Sequence, residues 1–397
     1  MMENKVIYFD NAATTKVYSE VVESMRPFSE ELYGNPSSVH SFGRKTKGYL
    51  DNSRKIVAEL LGATDKEIFF TSGATEANNW AILGAVDKLK NKGKHIITSS
   101  IEHHAVLHVC QKLEKEGFDV TYLPVDEYGI ISLDDLKRAI RPDTILITVM
   151  YANNEIGSIQ PIAEIGALAK DKGILFHTDA AQVIGKVSID LKTLPVDLLS
   201  LSAHKFHGPK GIGALYIRKG VKITNLLEGG GQERNKRPGT ENITGIVGLS
   251  KALEISTANM ASNTKKVLEL REYLIDEVIK KVPHIRLNGH REKRLAGNAN
   301  ISFSFIEGES MLLALDMYGI CGSSGSACTS GSLDPSHVLL AIGLEHETAH
   351  GSLRLTLSEF NSKEEIDYFL QVIPGVIERL RSMSPLYEDF LKTKGAK

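Results

Sequence analysis

DLLSLSAHKFHGPKG, residues 197–211, sets a lysine immediately after an apolar run. The run reads as a buried strand, DLLSLSA (197–203), and the loop Ser202-Ala203-His204-Lys205-Phe206-His207-Gly208-Pro209-Lys210-Gly211 begins where it ends. A lysine in that position is costly unless it is paired or neutral. Desolvation and neighbouring cations lower its pKa and make it a nucleophile toward carbonyl carbons. The loop is not a Walker-type phosphate loop, which needs a longer glycine spacing before Gly-Lys-Ser/Thr.

Two earlier strand ends carry polar groups of the same kind. ILFHTDA (174–180) ends in Asp179, followed by Ala180-Ala181-Gln182. A carboxylate at a buried strand end needs a partner, and a cationic ring nitrogen is one. EIFFTSG (67–73) runs into Ala74-Thr75, where free N–H groups at a helix start, with nearby hydroxyls, form an anion site. Each feature alone has a plainer reading: a basic surface loop, an arginine-paired acid, and a helix capped through Thr75 and Glu76. Together they are a phosphate cradle, an acid and a Schiff-base lysine in chain order on one sheet, which is what pyridoxal phosphate requires.

The surrounding pattern predicts that sheet. HIITSS (95–100), DVTYLPV (119–125), TILITVMYA (144–152) and GALYIRK (213–219) complete seven short apolar runs. Helical patterns separate them, such as Gly43–Leu61 with Tyr49, Ile56, Val57, Leu60 and Leu61 in phase, ended by Gly62. Continuous apolar strands alternating with helices predict a mostly parallel sheet covered on both faces, a three-layer αβα domain. Ligands of such sheets bind beyond the carboxyl ends of the strands. Near residue 255 the pattern changes, to helices at about 262–282, 308–318 and 362–382 with NISFSF (300–305) and SLRLTLS (352–358) between them. The expected division is a large cofactor-binding domain over 16–257 and a smaller α+β domain built from 1–15 and 258–397.

Composition narrows the function classes. The 397 residues carry 47 Lys+Arg against 49 Asp+Glu, a net charge of −2, which argues against a broad nucleic-acid or membrane-surface footprint. No apolar run reaches the roughly 18 residues of a membrane span. MMENKVIYFD has no apolar core of a secretory signal. Three cysteines, Cys110, Cys321 and Cys328, exclude a disulfide scaffold and suit a reducing cytoplasm.

At these residues the sequence resembles the cysteine desulfurases of the NifS/IscS type, within the class V aminotransferase-like family of fold-type I pyridoxal-phosphate enzymes. The resemblance covers essentially the whole chain. It rests on YFDNAATT (8–15), YGNPSSVHSFGR (33–44), FTSGATEANN (70–79), EHHAVL (102–107), ANNEIG (152–157), HTDAAQ (177–182), SAHKFHGPKGIGALY (202–216), RPGTEN (237–242), SSGSACTS (323–330) and LRLTLSEF (353–360). It implies that Lys205 holds the cofactor, that Asp179 partners its ring nitrogen, and that Gln182 bonds its ring oxygen. His103 is implied to stack on the ring and carry a proton, with Asn154 lying against the cofactor. Ala74, Thr75, Ser202 and His204 are implied at the phosphate, with Thr240 reaching over from a second subunit. Arg354 is implied to clamp the substrate carboxylate, assisted by Asn11. Cys328, in the Gly/Ser-rich stretch of about 321–336, is implied to be the sulfur-accepting nucleophile, with Cys321 and Cys110 as packing residues. The implied reaction turns L-cysteine into L-alanine and a Cys328 persulfide. The implied assembly is a homodimer that passes sulfur to an iron–sulfur scaffold protein of the IscU/NifU kind or to another acceptor.

Rival readings differ in specific residues. A selenocysteine lyase is chemically close, and an aminotransferase on the same fold leaves the Cys328 stretch without a role. The other desulfurase group carries Arg-x-Gly-His-x-Cys-Ala, whereas this chain has SSGSACTS. His346-Glu347-Thr348-Ala349-His350 matches the zinc-protease pattern H-E-x-x-H, but Leu353 stands where the extended metzincin form needs glycine, so no metal is expected. A non-enzymatic scaffold is disfavoured by intact Lys205, Asp179 and Cys328.

Overall fold

The computed structural model describes residues 6–324 and 335–395. Its strands in chain order are β1 Ile7–Tyr8, β2 Ile68–Thr71, β3 His95–Ser99, β4 Asp119–Leu123, β5 Thr144–Thr148, β6 Leu175–Asp179, β7 Leu198–Ser202, β8 Gly213–Ile217, β9 Ile285–Asn288, β10 Asn298–Phe303, β11 Ile320–Cys321 and β12 Ser352–Thr356. Seven of them form one sheet in the order β2-β8-β7-β6-β5-β3-β4. Only β8 runs against its neighbours, β2 and β7; the other pairs are parallel. The fold is α/β with a mostly parallel seven-stranded sheet, as expected.

Side chains alternate across this sheet into two apolar layers, one on each face. Phe70, Ile97, Ile147, Leu199 and Tyr216 face one layer, against the helices Ser41–Leu60 and Ile243–Ala258. Phe69, Ile96, Leu146, Leu198 and Leu215 face the other, against Trp80 and Val106 of the helices Ala74–Leu89 and His104–Lys115. Both faces are therefore dry, which explains why the strands read as continuous apolar runs. Phe69 meets Trp80 edge to face at 5.7 Å, a geometry that aromatic quadrupoles favour. Gly213 opens β8 where a side chain has no room: a Cβ there would lie 2.4 Å from the Leu201 carbonyl oxygen and 2.7 Å from the Gly73 Cα. That close approach keeps the turn at Gly73 against the sheet edge.

A second core joins Ile7 and Phe9 to Leu274, Phe303, Leu353 and Phe369. It lies under the antiparallel sheet β12-β10-β9 and the two-stranded parallel pair β1-β11. The helices Met260–Lys281, Gly308–Asp316 and Lys363–Ser382 fall within two residues of their expected bounds. β1, β9 and β11 were not foreseen, because two-residue strands have no period to read and β9 is only half buried over Ile285–Leu287.

Candidate active site

Six strands of the large sheet point the same way, so their polar ends meet on one edge. One cleft of about 1530 Å³, counting its open mouth, is lined there by Ala74, Thr75, His103, Asn154, Asp179, Gln182, Ser202, His204, Lys205 and Arg354. Ten of the residues singled out in the sequence thus share one cavity. Three others lie elsewhere. Asn11 lines an adjoining cavity, and its amide is spent on the Thr356 carbonyl at 2.8 Å. Thr240 lines a separate cleft with Ser72, Gly211 and Arg237. Cys328 falls outside the described residues.

At one end of the cleft the helix Ala74–Leu89 begins. The plainer alternative, a cap through Thr75 and Glu76, is not formed. Gly73 is the N-cap residue and no side chain bonds the helix start. Glu76 instead accepts from the Ser72 N–H at 2.8 Å and pairs with Arg237 at 2.7 Å. First-turn N–H groups therefore face the cleft beside Thr75, Ser202 and His204, with the positive end of the helix dipole behind them. Burial first, then the Lys205 and Lys210 charges, lowers the His204 pKa to about 4, so this ring is neutral at pH 7.

Asp179 lies deeper, buried at the end of β6. Its carboxylate accepts from the Asn78 amide at 2.6 Å and the Ala181 N–H at 2.9 Å, both neutral donors. The other amide atom of buried Asn78, Oδ1, has no hydrogen-bond partner among the described residues. His103 caps the helix His104–Lys115, with Nδ1 accepting from the Ala105 N–H at 3.1 Å. A neutral His103 must then carry its proton on Nε2. Burial lowers its pKa; the Asp179 charge opposes that and the Lys205 charge adds to it.

Lys205 closes a single 3₁₀ turn after β7. Its Nζ donates to the carbonyls of Ala12 at 2.5 Å and Ala13 at 2.9 Å. The Gln182 amide donates to the same Ala12 carbonyl at 3.1 Å. Across the cleft, Arg354 sits buried in β12. Its guanidinium pairs with Asp10 at 2.9 Å and donates to the Asn154 carbonyl at 3.2 Å, while Nε has no partner among the described residues. Arg354 also exchanges two backbone hydrogen bonds with Ser323, at 2.6 and 3.1 Å.

With this arrangement in place, relatives can be compared. Residues 7–369 match the family model described as aminotransferase class-V. The chain is 58% identical to a protein named cysteine desulfurase IscS from Clostridium botulinum, over 99% of this chain and 100% of the relative. It is also 58% identical to a cysteine desulfurase IscS of Methanosarcina thermophila, over 97% and 95% of the two chains. The chain belongs to the cysteine desulfurase branch of the class-V aminotransferase family. A solved structure described as a NifS-like protein superposes with a TM-score of 0.90 at 40% identity, covering 95% of this chain and 100% of that one. Another, described as SspA in complex with cysteine, gives 0.80 at 40% identity over 90% and 100%.

Within this cysteine desulfurase framework, Asp10 on Arg354 and Asn78 on Asp179 were not singled out from the sequence, although both lie inside quoted motifs. Cys110 is buried in the helix His104–Lys115 and burial raises its thiol pKa to about 12. Cys321, in β11, is half-buried and its thiol is likewise raised, first by burial and then by Asp316 and Asp10. The H-E-x-x-H residues form a five-residue helix, His346–His350. Among the described residues no three histidine, cysteine, aspartate or glutamate side chains converge as a metal site. No helix among them is long and apolar enough to cross a membrane.

Proposed function

We propose that this chain is a pyridoxal-phosphate-dependent cysteine desulfurase, converting L-cysteine to L-alanine and leaving the sulfur as a persulfide on Cys328. The observation that carries the reading is the single cleft with an uncapped helix start at one end, the Asp179 carboxylate at its depth, and Lys205 facing Arg354 across it. Those residues fit the cofactor: the helix start suits a phosphate, and Asp179, bonded only through neutral donors, suits a protonated ring nitrogen. Ala74, Thr75, Ser202 and His204 would hold the phosphate, and Gln182, Asn154 and His103 the ring. When bound, the cofactor supplies an aldehyde carbon for amines and a ring that accepts the electron pair left at the substrate Cα.

The chain's own residues do the rest. Arg354 binds the substrate carboxylate as a two-pronged donor, held in line by Asp10 and the Asn154 carbonyl. Lys205, once its Nζ is free, takes the proton from Cα. Neutral His103 presents Nε2 as a proton carrier. The Cys328 thiolate attacks the substrate sulfur; the carbon–sulfur bond breaks, a sulfur–sulfur bond forms, and the carbon skeleton gains protons to leave as alanine. A thiol acceptor then takes the outer sulfur. The same reading makes the molecule a cytoplasmic homodimer in which Thr240 serves the partner's cleft, with an iron–sulfur scaffold protein or another carrier as acceptor. It divides the chain into a large domain, 16–257, and a smaller one from 1–15 and 258–397.

Cys328→Ala separates the chemistry from its outcome. The variant is expected to keep the yellow cofactor and to bind L-cysteine, yet to release no sulfide with dithiothreitol. Vigorous sulfide release from it contradicts the role of Cys328. As a control, Lys205→Ala should lose the absorbance of the lysine-linked cofactor, and an unchanged spectrum contradicts the role of Lys205.

A further inference from the structure

Residues 10–18 run as a strip between the two walls of the cleft. On the Arg354 side, Asp10 pairs with the guanidinium, the Ala12 N–H donates to Thr356 Oγ1 at 2.8 Å, and the Asn11 amide donates to the Thr356 carbonyl at 2.8 Å. On the Lys205 side, Ala12 and Ala13 accept from Nζ, and the Thr15 N–H donates to the His204 carbonyl at 3.0 Å. The strip ends in a cluster of three polar side chains. His207, two residues beyond Lys205, donates its N–H to Thr15 Oγ1 at 2.8 Å, and its carbonyl accepts from the Tyr18 N–H at 3.2 Å. Glu359, five residues beyond Arg354, accepts from the Tyr18 hydroxyl and lies 3.4 Å from His207 Nε2. The Tyr18 and His207 rings pack with centroids 4.5 Å apart and planes tilted by 31°. His207 holds φ at 65°, a conformation that non-glycine residues keep only when their surroundings impose it. Burial pushes the Glu359 pKa up, but the His207 and Tyr18 bonds outweigh it and bring it to about 2, so the carboxylate is charged.

We propose that Tyr18, His207 and Glu359 form a latch that fixes the spacing between Lys205 and Arg354, and so are positioning residues for the amino acid substrate. Neither the hydroxyl nor the carboxylate lines the cleft; they act through the turn at 205–207 and the strand end at 354–359. The proposal rests on the roles given above to Lys205 and Arg354. Loosening the latch relaxes the hold of Arg354 on the substrate carboxylate, which weakens binding in ground and transition states alike.

The test uses the cofactor-loaded enzyme with Tyr18→Phe, Glu359→Leu and Glu359→Gln. Tyr18→Phe and Glu359→Leu are expected to raise KM for L-cysteine about fivefold, with kcat within about twofold and the cofactor absorbance unchanged. Glu359→Gln, which keeps an acceptor, should lie between them and the unaltered chain. The double variant Tyr18→Phe/Glu359→Leu should be no worse than the poorer single, because both remove one link. Amide hydrogen exchange over residues 10–18 should quicken with and without cofactor. An unchanged KM and unchanged exchange overturn the latch, as does a fall of kcat and absorbance in step with KM. Tyr18→Phe deletes one oxygen, so the test stands even where Glu359→Leu fails to fold. Failure of the Lys205 reading would register separately, as retained absorbance in Lys205→Ala.

Discussion

Of the three carboxylates that line the cleft among the described residues, Asp10 pairs with Arg354 and Glu76 with Arg237, whereas Asp179 accepts from the Asn78 amide and the Ala181 N–H. Its value as a charge comes from low local dielectric, where a carboxylate bonded only through neutral donors is strongly attracted to a cation. Asp179→Asn keeps the shape and removes that attraction. The expected result is a cofactor affinity lower by about 10- to 100-fold, the size of one charged hydrogen bond, read by titrating apoprotein with pyridoxal phosphate. An unchanged affinity would leave Asp179 a structural acid. Lys205 and Asp179 were legible because each is a costly residue at the end of an apolar run. Asn78 and Asp10 were not, because their meaning comes from partners 101 and 344 residues away in sequence. Asn11 was assigned to the substrate from its motif, while its amide is bonded to the Thr356 carbonyl.

Strands β5, β6 and β7 are pinned by a side chain that periodicity does not flag. Buried His177 bonds Thr148 Oγ1 at 2.8 Å on one side and Ser200 Oγ at 3.0 Å on the other. Burial lowers its pKa from 6.5 to about 3. The unfolded chain therefore takes up this proton first; the stabilisation is complete above pH 6.5 and is lost as pH falls toward 3. Glu102, just after β3, has the opposite sign. Burial raises it from 4.5 to about 8, against the bonds from Ser99 and the Met150 N–H. Its contribution is complete below pH 4.5 and lost as pH rises through 8. Urea unfolding across this range should show the two contributions together greatest between about pH 4.5 and 6.5, falling below that window toward pH 3 and above it toward pH 8. His177→Gln should flatten the acid side and Glu102→Gln the alkaline side. Equal pH profiles for all three proteins would contradict both assignments. Six strands of the large sheet were legible because both their faces are buried and the edge strand β4 because of its β-rich DVTYL run, whereas β1 and β11 exist only by pairing with each other at the edge of the second core.

The arrangement of the whole molecule was legible in periodicity only as a change of pattern near residue 255. Ile7 and Phe9, from the 1–15 segment expected to join 258–397, pack into the second core, a contact that no local period marks. Thr240 raises the same issue between chains, since within one chain it lines a cleft of its own. Hybrid dimers of a Lys205→Ala chain with a Thr240→Ala chain decide it. If Thr240 serves the partner, one cleft of the hybrid has both residues intact and binds cofactor as tightly as the unaltered enzyme. If it serves its own cleft, no intact site forms.

In the proposed reaction sulfur leaves cysteine in this cleft and lands on one thiol. Mass spectrometry of the enzyme, quenched after a single turnover with L-cysteine and no added reductant, tests it most directly. The peptide bearing Cys328 should carry one additional sulfur atom, matched mole for mole by L-alanine. Alanine formed with Cys328 unmodified, or the extra sulfur found on Cys110 or Cys321, would contradict the account.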